Sequence, residues 1–327
     1  MTKCLRAQIC GVGSYLPEKI ITNHDLEKLV DTTHEWIVQR TGIESRRQTA
    51  DGQATSDLAT EAAKAALKDA NMVADDIDMI IVATTTPDYV FPATAAIVQQ
   101  KLGMTKGAAF DIQAVCAGFI YSLNLSDCII QAGKAKNIIV IGAESISRLL
   151  DYSDRTTSVL FGDGAGAVVI KAVEGEGTND DRAILSTCLH TDGRFADILK
   201  ATGGVGSGKG QKQALIMDGP EVFKHAVEKL CSALMEVIQE AGVDANDIDW
   251  IVPHQANKRI IDMTAKMLKL PSEKVILTLD HHANTSAASI PLALDEAKRQ
   301  GKVKQGDMVL FDAIGGGLSW GAALVRM

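Results

Sequence analysis

An α/β fold built from a duplicated half is the architecture this sequence predicts, and three observations carry it. Short β-branched runs alternate with amphipathic helical stretches: a helix over 56–70, the run MIIVATTT at 79–86, a helix over 92–102 and AAFDIQAV at 108–115. That rhythm marks α/β proteins. A helix leading into Asp76-Ile77-Asp78-Met79-Ile80-Ile81-Val82 recurs, 171 residues later, as a helix leading into Asp247-Ile248-Asp249-Trp250-Ile251-Val252-Pro253. The halves also end alike, since FGDGAGAVVI at 161–170 and GGGLSWGAALV at 315–325 place small residues before an apolar strand, as close backbone approach requires.

At 327 residues the chain is about twice a typical domain and can bury a large core. The acidic, glycine-bearing stretch EGEGTNDD at 174–181 suits an exposed connection and divides 1–174 from 175–327. The same stretch also fits a surface loop within one domain.

Hydrophobic residues make up 46% and charged residues 23%, which excludes a disordered chain. A net charge of −8 argues against a nucleic-acid partner, so any basic patch must be local. The six cysteines form no C-x-x-C pair and no zinc-like spacing, so neither a disulfide scaffold nor a metal is expected. The N-terminal MTKCLRAQICGVGSYLP lacks a signal-peptide pattern, and no run reaches the roughly 18 apolar residues that span a bilayer. A cytoplasmic protein with no membrane partner is expected.

Thr202 to Gly210, TGGVGSGKG, approximates a phosphate-binding loop through Gly203, Gly208 and Lys209. Gly210 stands where a serine or threonine should hold Mg²⁺, and no clear strand precedes the loop. Nucleotide binding is rejected there.

Cys116 sits where the apolar run 110–115 turns into the helical pattern of 117–123. A strand-to-helix turn aims a side chain outward, and a helix N-terminus carries about half a positive charge that favours thiolate. Taken singly, a cysteine in apolar surroundings is more often structural, and Cys4, Cys10, Cys128, Cys188 and Cys231 are read so. His254 follows the strand 250–253, where a catalytic and a structural histidine fit equally well. Asn284 precedes a helix starting near Ser286 and by itself reads as a turn or cap residue. His281 and His282, adjacent in sequence, would diverge on a strand and so suggest no metal. Ile314-Gly315-Gly316-Gly317 follows the strand 308–311 and can offer backbone N–H groups to an oxyanion.

Together Val115-Cys116-Ala117-Gly118, Val252-Pro253-His254-Gln255-Ala256-Asn257 and Ala283-Asn284-Thr285-Ser286-Ala287-Ala288 resemble the β-ketoacyl-acyl-carrier-protein synthase III family. The likeness runs from Gly11-Val12-Gly13 to Ala323-Leu324-Val325-Arg326. It implies a thiolase fold of two similar halves in αβαβα layers, and a homodimer. It implies decarboxylative condensation of an acyl-CoA primer, acetyl-CoA first among them, with malonyl-acyl-carrier protein, the reaction that starts fatty-acid synthesis. No cofactor is implied.

Carried over by motif, Cys116 would be acylated, while His254 and Asn284 would donate hydrogen bonds to the enolate formed by CO₂ loss. The N–H groups of Cys116 and Gly316 would form the oxyanion hole. Trp36, Arg40, Thr41, Arg155 and Asn257 match coenzyme A contacts, and Phe91, Phe161, Met217 and Ile314 an acyl pocket. Gln255, Ala256, Asn257, Lys258 and Arg259, with Lys224 and Lys266, match a carrier-protein docking segment. Lys258, Arg259, Lys266 and Lys269 against Asp262 leave a local +3 there, suited to an acidic partner; a plain solvated helix face reads the same way.

Three departures stand out: Ile314 for an expected phenylalanine, Met267 for a second lysine, and Thr156 where glycine is common after Arg155. A relative with another acyl donor or acceptor would keep the same residues. Thiol proteases also use Cys, His and Asn, but the duplication opposes that fold. A thiolase would want a second catalytic cysteine, and none follows Cys231; hydroxymethylglutaryl-CoA synthase would want a glutamate base, and no motif supplies one. A non-catalytic partner subunit would normally lack the nucleophile.

Overall fold

Alternating burial along the strands decides which layer each residue joins. In the computed structural model, which describes residues 3–208, 210 and 213–327, the first half runs β1 (Cys4–Tyr15), α1 (His34–Thr41), α2 (Thr55–Asp69), β2 (Met79–Ala83), α3 (Thr94–Lys101), β3 (Ala108–Ile112), α4 (Gly118–Gln131), β4 (Asn137–Glu144) and β5 (Gly164–Gly175). The second runs β6 (Ile184–Thr191), α5 (Gly219–Ala241), β7 (Trp250–Pro253), α6 (Lys258–Met267), α7 (Ser289–Arg299), β8 (Met308–Gly315) and β9 (Ser319–Arg326).

The first sheet has strand order β1-β5-β4-β2-β3 and the second β7-β8-β9-β6. In both, a parallel pair (β2 with β4, β7 with β8) is followed by two antiparallel neighbours (β5 then β1, β9 then β6). The duplication is therefore topological, and β3 is an extra edge strand of the first copy. The 171-residue offset relates Gly118 at the start of α4 to Ser289 at the start of α7, and the bounds of β4 to those of β8. It also equates the 3₁₀ turn Val115–Ala117 with Ser286–Ala288.

Five layers result. Ile80, Val82, Ile139 and Ile141 pack outward against Leu58, Ala59, Ala62 and Ala66 of α2, whose alanine-rich sequence favours helix and lets the sheet come close. Ile81, Ile138 and Val140 face inward, against Phe119, Ile120 and Leu123 of α4 and Ile290, Ala293 and Leu294 of α7. Those two helices are covered on their far side by Val252, Val309 and Phe311 of the second sheet. Its outer face buries Ile251, Leu310 and Leu324 against Ala233, Leu234 and Val237 of α5.

The expected boundaries shift by a few residues. The helix expected over 92–102 spans Thr94–Lys101, and the strand expected to reach Val115 stops at Ile112, because Ala114 and Val115 leave extended geometry to start the Cys116 turn. The loop from Thr202 follows the three-residue strand Leu199–Ala201, which pairs with Leu215–Met217; a 3₁₀ turn, Val205–Ser207, stands where a phosphate-binding loop would open a helix. Lys209 lies outside the described residues. All six cysteines are unpaired.

The halves meet closely at Gly142 of β4, where a Cβ would lie 2.1 Å from the carbonyl oxygen of Ala287. Gly142→Ala must push the 286–288 turn away, and overpacking of this kind typically costs about 1–3 kcal/mol. Thermal unfolding should show a lowered melting temperature. A wild-type value would mean that the junction absorbs a methyl group freely.

Candidate active site

Cys116 stands in the 3₁₀ turn that opens the 14-residue helix α4. The turn is strained: Val115, a β-branched residue, has φ 50°, a conformation retained only where the surroundings enforce it. Gly315, at the end of β8, supplies part of that enforcement, since a Cβ there would sit 2.7 Å from the Cys116 nitrogen. Cys116 is 5% exposed, and burial pushes the thiol pKa up to about 12. The helix N-terminus opposes this without making thiolate the resting form.

His254 follows β7, its backbone N–H donating to Asp312 O at 2.8 Å. Its Nδ1 is 2.6 Å from Ser289 Oγ, which leaves Nε2 for the cavity. Burial pushes the imidazole down to about 3, so it is neutral around neutrality. Asn284 is pinned by its own backbone, which donates to Leu160 O and accepts from Gly162 N–H, both at 3.0 Å. Its Oδ1 accepts the Ser286 N–H at 2.9 Å, so the side-chain NH₂ is the group left to present. Ala283 and Ser286 flank it with φ of 58° and 51°.

These three side chains, one from the first half and two from the second, line a single cavity of about 960 Å³. Phe161, Met217 and Ile314 line it as well, as do Trp36, Arg40, Thr41, Arg155 and Asn257. The Arg155 and Arg40 guanidinium carbons lie 5.1 and 5.9 Å from the Trp36 ring centroid, a pair of cations set for a stacked or anionic ligand. Asn257 caps α6 through its Oδ1 and donates from Nδ2 to Arg40 O at 3.2 Å, tying α6 to α1.

A neutral imidazole, a primary amide and a thiol thus face one chamber and present it with uncharged polar groups. Family comparison agrees. Residues 110–193 match the model of 3-oxoacyl-[acyl-carrier-protein] synthase III, and residues 238–327 match the model of its C-terminal part. The β-ketoacyl-[acyl-carrier-protein] synthase III of Rhodospirillum centenum is 58% identical over 322 residues, covering 98% of this chain and 99% of the relative. The chain belongs to the synthase III family. Among solved structures, the 3-oxoacyl-[acyl-carrier-protein] synthase III of Aquifex aeolicus VF5 is 46% identical with a TM-score of 0.91, covering 98% of this chain and all of that one. A priming β-ketosynthase from the R1128 polyketide pathway is 32% identical with a TM-score of 0.93, covering 100% and 98%. The thiolase fold expected for a synthase III is thereby established.

Several residues of this synthase III chain sit otherwise than the sequence suggested. Phe91 is 83% exposed and lies outside the cavity, on the projecting segment Tyr89–Phe91. Gln255 is fully buried: its Nε2 donates to Pro253 O and Ile276 O, and its Oε1 accepts the Thr278 N–H, so it braces the His254 loop and offers no docking surface. Thr41 turns its hydroxyl to Ile37 O and Ile43 N. Arg259 lines the cavity, its guanidinium 5.3 Å from the Phe223 ring centroid. Lys258 is paired with Asp262 at 2.7 Å and Lys224 with Glu221 at 3.5 Å, which weakens the basic patch. Lys266 is exposed.

His281 and His282 occupy a helical turn, Leu279–His282, and both reach Glu296. Asp280 and Glu296 raise His281 to about 9. Ser286, Ser289 and Glu144 were not singled out from the sequence. The signal available was the Ser286/Ser289 pair one turn apart behind Asn284.

An unfolded histidine titrates near about 6.5 and the buried His254 near about 3. Unfolding therefore takes up a proton between these values, and this group's contribution to stability is lost as pH falls from 6.5 towards 3. A ¹⁵N-resolved NMR titration should find the His254 ring still neutral at mildly acidic pH, where His281 is charged; a His254 midpoint near that of a free imidazole would contradict the geometry.

Proposed function

We propose that the chain is a β-ketoacyl-acyl-carrier-protein synthase III that condenses an acyl-CoA primer, acetyl-CoA first among candidates, with malonyl-acyl-carrier protein. The observation that carries this is the convergence of Cys116, His254 and Asn284 on one cavity whose lining also holds Trp36, Arg40 and Arg155. Cys116 attacks the primer thioester, forming an acyl-enzyme no harder to break than the bond it replaces. The N–H groups of Cys116 and Gly316 hold the oxyanion; Gly315 keeps side-chain atoms away from the first of them.

The malonyl thioester oxygen then lies between His254 Nε2 and Asn284 Nδ2. When the malonyl group loses CO₂, its electrons form an enolate whose oxygen these donors stabilise; the enolate carbon attacks the acyl carbon, the bond from that carbon to the Cys116 sulfur breaks, and the freed thiolate regains a proton. Nε2 donates only if Ser289 gives its proton to Nδ1, which lies 2.6 Å away, in place of the 2.9 Å hydrogen bond that this hydroxyl makes to Ser286 O. Each such donor is worth roughly 3 kcal/mol of barrier. Phe161, Met217 and Ile314 bound the acyl pocket. No cofactor enters this chemistry.

Residues 1–174 and 175–327 are taken as the duplicated halves, with one sheet drawn from each. A cytoplasmic homodimer is the assembly proposed. Among the described residues no helix is long and apolar enough to cross a membrane; β3 is an edge strand carrying half-buried apolar residues, and Tyr89, Val90 and Phe91 are exposed. The carrier protein is placed on α6 near Lys266.

Two results are expected. By intact-mass spectrometry, Cys116→Ala gains no acyl mass from acetyl-, isobutyryl- or octanoyl-CoA. His254→Ala and Asn284→Ala load normally yet release CO₂ from malonyl-carrier protein roughly 10²–10³-fold more slowly. Condensation by Cys116→Ala would sink the assignment.

The second result separates docking from the cavity. Lys266→Glu should slow the reaction with malonyl-carrier protein and spare acyl-CoA loading, the deficit shrinking as salt screens charges beyond about 8 Å. Arg259→Glu, placed on the cavity wall, should impair both substrates. Equal, salt-insensitive losses for Lys266→Glu would remove it from docking.

A further inference from the structure

Behind Cys116 stand a hydroxyl and a carboxyl that the condensation leaves unused. Glu144, the last residue of β4, is fully buried. Its Oε1 accepts the Thr85 N–H at 3.1 Å, the Thr85 hydroxyl at 2.9 Å and the Ser286 hydroxyl at 3.1 Å. Its Oε2 accepts the Thr86 hydroxyl at 2.6 Å. Thr86 Oγ1 in turn accepts the Ser145 N–H, which turns its proton towards the carboxylate. Every partner of Glu144 is a donor, the set an ionised carboxylate requires, while burial favours the acid; the balance leaves the group at about 7.

Ser286 links this carboxylate to the nucleophile's surroundings, because the turn Ser286–Ala288 packs against the turn Val115–Ala117 and the Ser286 hydroxyl favours the ionised Cys116 thiol. The left-handed φ of 51° turns Ser286 into the junction between the halves. By the 171-residue offset, the counterparts of Ser286 and Glu144 are Val115 and Gly315. The other copy of the fold thus has neither a hydroxyl nor a carboxyl at these places, so the pair is no requirement of the architecture.

We infer that Ser286 and Glu144 form a relay that removes the thiol proton from Cys116 as acyl-CoA loads. The inference rests on the acyl-loading reading above. In this relay Ser286 meets the sulfur and is the catalytic residue; Glu144 acts through it and is a positioning residue and proton store. As the Cys116 sulfur bonds to the acyl carbon, its proton passes to Ser286 Oγ and the Ser286 proton passes to Glu144. The bond from the acyl carbon to the coenzyme A sulfur breaks, and the departing thiolate takes the proton back along the same path. A thiol and a thioester become a thioester and a thiol, with no other reactant.

The need follows from burial: Cys116 rests as a thiol, and His254, held near about 3, is too weak a base to ionise it. Cys116 is the titratable group that faces Glu144, across Ser286. Asp163, before β5, is bonded to Thr49 and Ser147, and Asp88, after β2, to Ser56, so neither carboxylate is turned to Glu144.

The test is single-turnover loading of Cys116 by acetyl-CoA, followed by intact-mass spectrometry at pH values on both sides of neutrality. Wild type should load with a limb that rises through about pH 7 as Glu144 ionises. Ser286→Ala and Glu144→Gln should load roughly 10²-fold more slowly, within the range of general acid–base effects, and lose that limb; Glu144→Asp should keep it. Glu144→Gln sets an amide among donors and can unfold the site. Ser286→Ala keeps the N–H that holds Asn284 and so decides the matter, with thermal unfolding measured alongside. Slower loading with the limb unmoved would overturn the relay in favour of a packing role, as would wild-type loading in Ser286→Ala. A wild type that takes no acyl group at all would overturn the functional reading and the relay with it.

Discussion

Withdrawal from water at the junction of the two halves governs this site. The helices α4 and α7 are enclosed between two sheets, and the turns at their N-terminal ends are buried with them. Burial drives each ionisable group there towards its uncharged form: Cys116 and Glu144 are raised and His254 lowered. A medium of this kind strengthens hydrogen bonds from neutral donors and penalises any isolated charge. It suits a reaction in which negative charge forms on an oxygen for a moment and is then consumed.

The same enclosure accounts for the strained backbone. Val115, Ala283 and Ser286 all adopt positive φ; the first two adjoin Cys116 and Asn284, and the third holds the Asn284 side chain through its N–H. Isolated turns would relax. Here Gly142 against Ala287 and Gly315 against Cys116 leave no space for the relaxed geometry, so packing between the halves holds the conformation that aims the side chains.

Much of this was legible in the sequence, and the limits have physical causes. The duplication showed because a helix, a turn and an apolar strand recur with the same composition at Ile77 and Ile248. Cys116 was readable because a strand-to-helix turn leaves few other positions for a nucleophile. Gln255 misled because a polar residue in a polar string reads as exposed, whereas its amide is consumed by three backbone groups of neighbouring segments. Phe91 misled for the opposite reason, being an aromatic residue that its own chain leaves uncovered. Ser286 and Glu144 lie 142 residues apart, and no local pattern announces a hydrogen bond that depends on how two sheets are stacked.

The equivalence of Val115–Ala117 and Ser286–Ala288 bears on how such a site can arise. Two identical halves assembled as a symmetric pair would carry the same residue at both turns, so a thiol in one would mean a thiol in the other. Joining them in one chain lifts that identity. Ala287 occupies the place that Cys116 holds in its own copy, and the turn relieved of the nucleophile is free to diverge until it serves as the nucleophile's surroundings. Fusion thus turns a redundant motif into raw material for asymmetry, and one lineage of sequence changes can shape both a reactive atom and the wall that faces it.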